Sequence, residues 1–137
     1  MPSIPPAALR RLYVKGSLSN TDHGVELALV NHLAPCTLIG VGPLEVDGAE
    51  YGSERLTARF ERRSLKPGRQ PEPLVRAAAS IDLSRAVRFD LETTLRVQMD
   101  GLWLAPGEHR CLLHLATREV GVLSVEITDQ VTDRRSR

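Results

Sequence analysis

The sequence predicts an all-β protein: an antiparallel β-sandwich, immunoglobulin-like or jelly-roll, with eight to nine strands and at most one short helix. Three observations predict it. Apolar and polar residues alternate with period 2 along most of the chain, the spacing that turns every second side chain to one face of a strand, while helical spacing is nearly absent. Turn-forming pairs punctuate those runs at Asp47-Gly48, Asp100-Gly101 and Pro106-Gly107. The outward positions are polar, which excludes a parallel sheet covered by helices on both faces. A closed barrel of the same strands is the alternative.

Taken in order, residues 1–8 read as an N-terminal tail and 131–137 as a C-terminal tail around a single domain over residues 9–130. Leu12, Val14 and Leu18 begin the alternation, with Gly16 as a bulge or a point of close approach. Val25, Leu27 and Leu29 share the inner face of the next strand and Glu26 the outer one. "TLIGVGPLEVDGAEY" runs apolar into Asp47-Gly48, a hairpin signal, and "LTARF" follows as a strand. Leu91, Thr93, Leu95, Val97 and Met99 alternate as far as Asp100-Gly101, a second turn of that type. Strands from His109 to Thr117 and from Gly121 to Thr128 pair as a hairpin around "TREVG". The one candidate helix lies in "PEPLVRAAAS", with Pro71 and Pro73 at its start. The competing reading makes Arg62 to Arg76 a long excursion away from the sheet.

Composition narrows the function. A chain of 137 residues is one domain large enough for a real core. A net charge of +1 supplies no field for drawing it onto nucleic acid or an anionic membrane, and 4% aromatics is too few for a base-stacking platform. Neither a signal-peptide run nor a membrane span is legible, so the expected location is cytoplasmic. Cys36 and Cys111 make no disulfide framework; Cys111 alternates in phase with Leu113 and Leu115 and reads as a small core residue.

Motifs for chemistry are scarce. The hinge Ser19–Gly24 gathers hydroxyl, amide, carboxylate and imidazole groups, yet Asn20, Asp22 and Gly24 are the residues a turn itself requires. His109 and His114, five apart, point to opposite faces of a strand, and there is neither His-x-His nor Cys-x-x-Cys, so no metal site is expected in this chain. No Gly-x-Ser-x-Gly elbow frames a nucleophile. "GVGPLEVDG" lacks the spacing of a phosphate loop, and Pro43 removes one amide donor. Arg59, Arg62, Arg63, Lys66, Arg69 and Arg76 face only Glu61 and Glu72 in sequence, a basic stretch suited to an anion or an acidic partner surface. In Leu102-Trp103-Leu104, three large apolar residues in a row cannot all face inward, so one of them reaches the surface and marks a protein interface. Leu102, Trp103, Leu104, Arg62 and Arg63 are therefore the candidate interface residues, and no catalytic residue is assigned.

With the strands placed, "KGSLSNTDHG", "LAPCTLIGVGPLEVDGAEY" and "LAPGEHRCLLHLATREVGVLSVEITD" give residues 13–129 a likeness to one family. The chain resembles the small β-subunits of bacterial C-glycoside deglycosidases. That resemblance implies a β-sandwich assembled with a larger barrel-type α-subunit into a hetero-oligomer. It implies a divalent metal, manganese, and a histidine base on the α-subunit, and no cofactor in this chain. The implied reaction acts on sugars oxidised to a ketone at the 3-position: the ketone acidifies the neighbouring C–H bond, a base takes that proton, the metal stabilises the enolate and the aglycone leaves by elimination. The small subunit would brace the barrel, inactive by itself. Two other readings stay open: a stand-alone carbohydrate-binding or protein-interaction sandwich module, and a small metal-free isomerase or hydrolase working within its own sandwich.

Overall fold

The computed structural model describes residues 4–62, 68 and 72–132. Two antiparallel five-stranded sheets face each other. One runs in the order β1 (Ser19–Asn20), β2 (Gly24–Val30), β8 (Thr94–Asp100), β5 (Leu56–Glu61), β6 (Leu74–Ala77). The other runs β10 (Gly121–Val131), β9 (Gly107–Thr117), β3 (Cys36–Val46), β4 (Ala49–Tyr51), with β7 (Val87–Phe89) pairing the first residues of β3. The all-β sandwich is as expected. Ten strands replace eight or nine, because β1, β4 and β7 are only two or three residues long and carry too little alternation to be counted from sequence.

The alternation is the core. Val25, Leu27 and Leu29 of β2, Leu95, Val97 and Met99 of β8, and Cys111, Leu113 and Leu115 of β9 are all buried between the sheets. Both Cys36 and Cys111 are free thiols, and burial pushes them up to about 11 and about 12, so they behave as inert core groups. Asp47 and Gly48 adopt φ of 50° and 88°, the pair of left-handed residues a tight hairpin between β3 and β4 requires. The hairpin of β9 and β10 runs unbroken from Gly121↔Thr117 to Val131↔Gly107. Gly24 sits closer to β8 than any side chain allows: a Cβ there would lie 2.0 Å from the Met99 carbonyl oxygen.

Six expectations change. The α-helix lies at α1 (Pro6–Arg10), with a proline at its first position, while the only helical turn in residues 72–80 is the 3-10 turn at Ala78–Ser80. Residues 74–77 are instead the edge strand β6, in register with β5 from Thr57↔Ala77 to Phe60↔Leu74, so that part of the expected excursion rejoins the sheet. The helix straddles the boundary drawn at residue 8, and its Leu9 is buried; β10 likewise continues to the buried Val131. Leu12, Val14 and Leu18 form no strand: Tyr13 makes a single bridge to Leu29, and Gly16 turns at φ 86° with open space where a Cβ would stand, its amide donating to Asp129 Oδ2 at 2.7 Å. The Asp100-Gly101 pair closes no hairpin, because the chain leaves β8 there and crosses to β9 in the other sheet. Leu91 is also half exposed, in a turn where Glu92 takes φ 65°, and β8 begins only at Thr94.

Candidate functional site

The crossing from β8 to β9 is the place where a large apolar side chain is held outward. Leu104 is 5% exposed and Leu102 packs against the core rim, while Trp103 between them is 47% exposed. This splits the three candidates as strand geometry demands, one of them at the surface.

What fixes the crossing is Asn20, only 1% exposed. Its side-chain amide donates to the Leu104 carbonyl at 2.8 Å, and its side-chain oxygen accepts from the Leu104 amide at 2.9 Å. A chain crossing between sheets has no strand partner for its backbone, and an Asn side chain supplies both missing groups at once. The Gly101 amide adds a bond to the His23 carbonyl at 3.0 Å. Within the hinge Ser19–Gly24, residues 21–23 form the turn between β1 and β2, closed by the Thr21 hydroxyl accepting from the His23 and Gly24 amides, and the hinge also buttresses the Trp103 crossing.

His109 ties down the far end. One ring nitrogen meets Asp47 Oδ2 at 2.5 Å and the other meets the Ala105 carbonyl at 2.6 Å. Both partners are acceptors, and only the imidazolium can donate from both nitrogens. Asp47, then the Ala105 carbonyl, raise His109 above its ordinary value. Asp47 is lowered, first by the Arg110 amide and then by His109. His109 therefore joins the β3–β4 turn, the crossing and β9 through one charged ring.

The other candidates lie elsewhere. Arg62 is exposed just beyond β5, whose Glu61 pairs with Thr94 at the start of β8; Trp103 follows the opposite end of β8, about 20 Å of strand away. Arg62 lines an open groove of about 420 Å³ with Arg76, Arg85 and Arg88. Of the remaining basic stretch, Arg59 is paired with Glu61 at 3.4 Å, and Arg63, Lys66 and Arg69 lie outside the described residues. An apolar pocket of about 70 Å³ beside Phe89 and Leu115 is rimmed by the exposed Leu33, Ala34 and Pro35. Among the described residues, no group of three or more His, Cys, Asp or Glu could hold a metal ion, and no helix is long and apolar enough to cross a membrane.

Asn20 and His109 were missed as positioning residues. Asn20 reads as a turn former, and its partner is 84 residues away. His109 was weighed only as a metal ligand. The Asp47-Gly48 signal placed a hairpin correctly but could not say what the Asp47 carboxylate would hold.

The family model described as hydroxymethylglutaryl-CoA reductase, N-terminal domain, matches residues 8–132. The chain belongs to that family. The matched span takes in every strand among the described residues, with both the Trp103 crossing and the arginine groove. No curated protein matches. Among solved structures, a family 123 glycoside hydrolase from Clostridium perfringens, described in connection with glycolipid glycan hydrolysis, is 10% identical with a TM-score of 0.39. That alignment covers 87% of this chain and 23% of that one, so the present chain spans about a quarter of its neighbour's length.

Proposed function

We propose that this chain is an accessory, non-catalytic sandwich that seats on a larger catalytic partner through the Trp103 crossing. One observation carries the reading: a tryptophan kept 47% exposed on a segment whose backbone is locked from beneath by a buried asparagine. Exposing a ring of that size is unfavourable unless another surface covers it, and a pre-ordered aromatic loses little freedom when it is covered. Aromatic anchors of this kind commonly dominate binding.

The sequence resemblance names the partner. It is a barrel-type α-subunit carrying manganese and the histidine base, and the complex is a cytoplasmic lyase that opens 3-keto C-glycosides by elimination, with this chain bracing the barrel. The family match favours a second reading, in which the same sandwich accompanies a hydroxymethylglutaryl-CoA reductase. Both readings place the chain beside a catalytic unit. A stand-alone module would leave the ring uncovered.

The deciding experiment mixes this chain with a barrel-type α-subunit of a C-glycoside deglycosidase, manganese and a 3-keto C-glycoside. Aglycone release that needs both chains supports the lyase reading. Full activity from the barrel alone, or no association, removes it. Hydroxymethylglutaryl-CoA reductase activity that rises on adding this chain to the corresponding catalytic protein would establish the second reading instead.

A further inference from the structure

We propose that the groove between β6 and β7 is a binding site for a small, multiply charged anion of the phosphate class. Its walls come from both sheets: Arg62 follows β5, Leu74 and Arg76 belong to β6, Ser80 ends the 3-10 turn after it, and Arg85 and Arg88 flank the start of β7. Four guanidinium groups line one groove of about 420 Å³, and none of its described lining residues is acidic. Arg88 is engaged by Asp90 at 2.8 Å. Arg62, Arg76 and Arg85 make no ion pair among the described residues. Asp82, the acid nearest Arg85 in sequence, is occupied by the Ser84 and Arg85 amides and the Ser84 hydroxyl, and Glu61, next to Arg62, pairs with Arg59 and Arg96.

The placement of Arg76 is the most telling. It pairs with Ala58, a core residue, so it stands on the inward-facing register of the edge strand, while Val75 and Ala77 stand on the outer one. An inward charge on an edge strand is a known protection against edge-to-edge pairing, and that accounts for one arginine. It does not account for the other three arginines around the same groove. Like charges gathered in one place repel, and an anion bound among them relieves that repulsion. Guanidinium forks match phosphate oxygens two at a time, and several of them around a concavity suit a compact ligand with closely spaced charges better than an extended acidic surface.

The probe is inorganic triphosphate, titrated calorimetrically into the full chain at low and at physiological salt. The expected result is saturable, equimolar binding that weakens with salt. Arg76→Gln should weaken it by about tenfold or more, and Arg76→Gln with Arg85→Gln should abolish it, with circular dichroism confirming an unchanged fold. Arg10→Gln, which alters a guanidinium on α1 facing Glu126, should leave binding as it was. Binding that never saturates, or that is the same in every variant, overturns the proposal. So does tight, arginine-dependent binding of a glutamate-rich peptide with none of triphosphate, which would assign the groove to an acidic protein surface. None of these outcomes depends on a partner enzyme, so they stand apart from the accessory role.

Discussion

The Trp103 crossing and the arginine groove are both exposed, and they are built on opposite principles. At the crossing polar side chains are spent on holding the backbone: Asn20 satisfies both backbone groups of Leu104, and His109 spends both ring nitrogens on acceptors. What is left over is apolar. At the groove the backbone is ordinary strand and turn, and what is left over is charge. The difference teaches how one sandwich presents two surfaces. A locked segment with a half-exposed ring suits a second protein, because area and rigidity carry such contacts. Unbalanced guanidiniums suit an anion, because charge pairing carries those.

The largest expected effect comes from unlocking the crossing. Asn20→Ala leaves the buried amide and carbonyl of Leu104 without partners and should cost about 2 to 4 kcal/mol. A shift in the urea midpoint measures this, and amide exchange at Leu104 should quicken in step. An unchanged midpoint would mean that the crossing holds without its clamp, and the contrast between the two regions would fail. Next comes Trp103→Ala. Stability should move by less than about 1 kcal/mol, since the ring is half exposed, while affinity for the catalytic partner falls by about 2 kcal/mol, roughly thirtyfold in Kd. Equal losses in both would make Trp103 a core residue after all.

A smaller effect should follow pH. The folded state raises His109, so its contribution is complete below its ordinary value of 6.5 and fades as pH climbs through the raised value. Asp47, the acid it faces, is lowered and stays charged throughout that window. Trp103 is the chain's single tryptophan, so its fluorescence reports the loosening directly. His109→Gln should flatten that dependence; a transition that persists in the variant would place its origin elsewhere. The smallest effect belongs to the groove. Arg62→Gln should change stability by no more than about 0.5 kcal/mol, as expected of an exposed side chain without a carboxylate partner among the described residues. A large loss there would mean that the groove is structural too.

The architecture was legible because its cause is local and repeated. Period-2 alternation in β2, β8, β9 and β10 places each side chain before any partner is known, and left-handed residues at Asp47-Gly48 announce their turn within four positions. Sequence reasoning also put one member of Leu102-Trp103-Leu104 at the surface, since a strand has only two faces. Short strands escaped it. The four residues of β6 sit in a Pro-rich, basic context and owe their conformation to pairing with β5.

The sequence by itself determined the class of the protein, the identity of most of its core and the hairpins at Asp47-Gly48 and around "TREVG", because these follow from spacing along the chain. Tertiary structure alone decided which sheet each strand joins, and so sent the chain across the sandwich at Gly101 where a hairpin had been expected. It alone brought Asn20 to Leu104, and it alone drew Arg62, Arg76, Arg85 and Arg88 around one groove. Asn31 makes the same point at the other end of the molecule, binding the Ala34 and Phe89 carbonyls from within the core. In each case the folded chain brings in a backbone group or a like charge from a distant part of the sequence. Any residue offers the same backbone, and a surface arginine has the same spacing whether it stands alone or in a cluster, so only the folded chain distinguishes them.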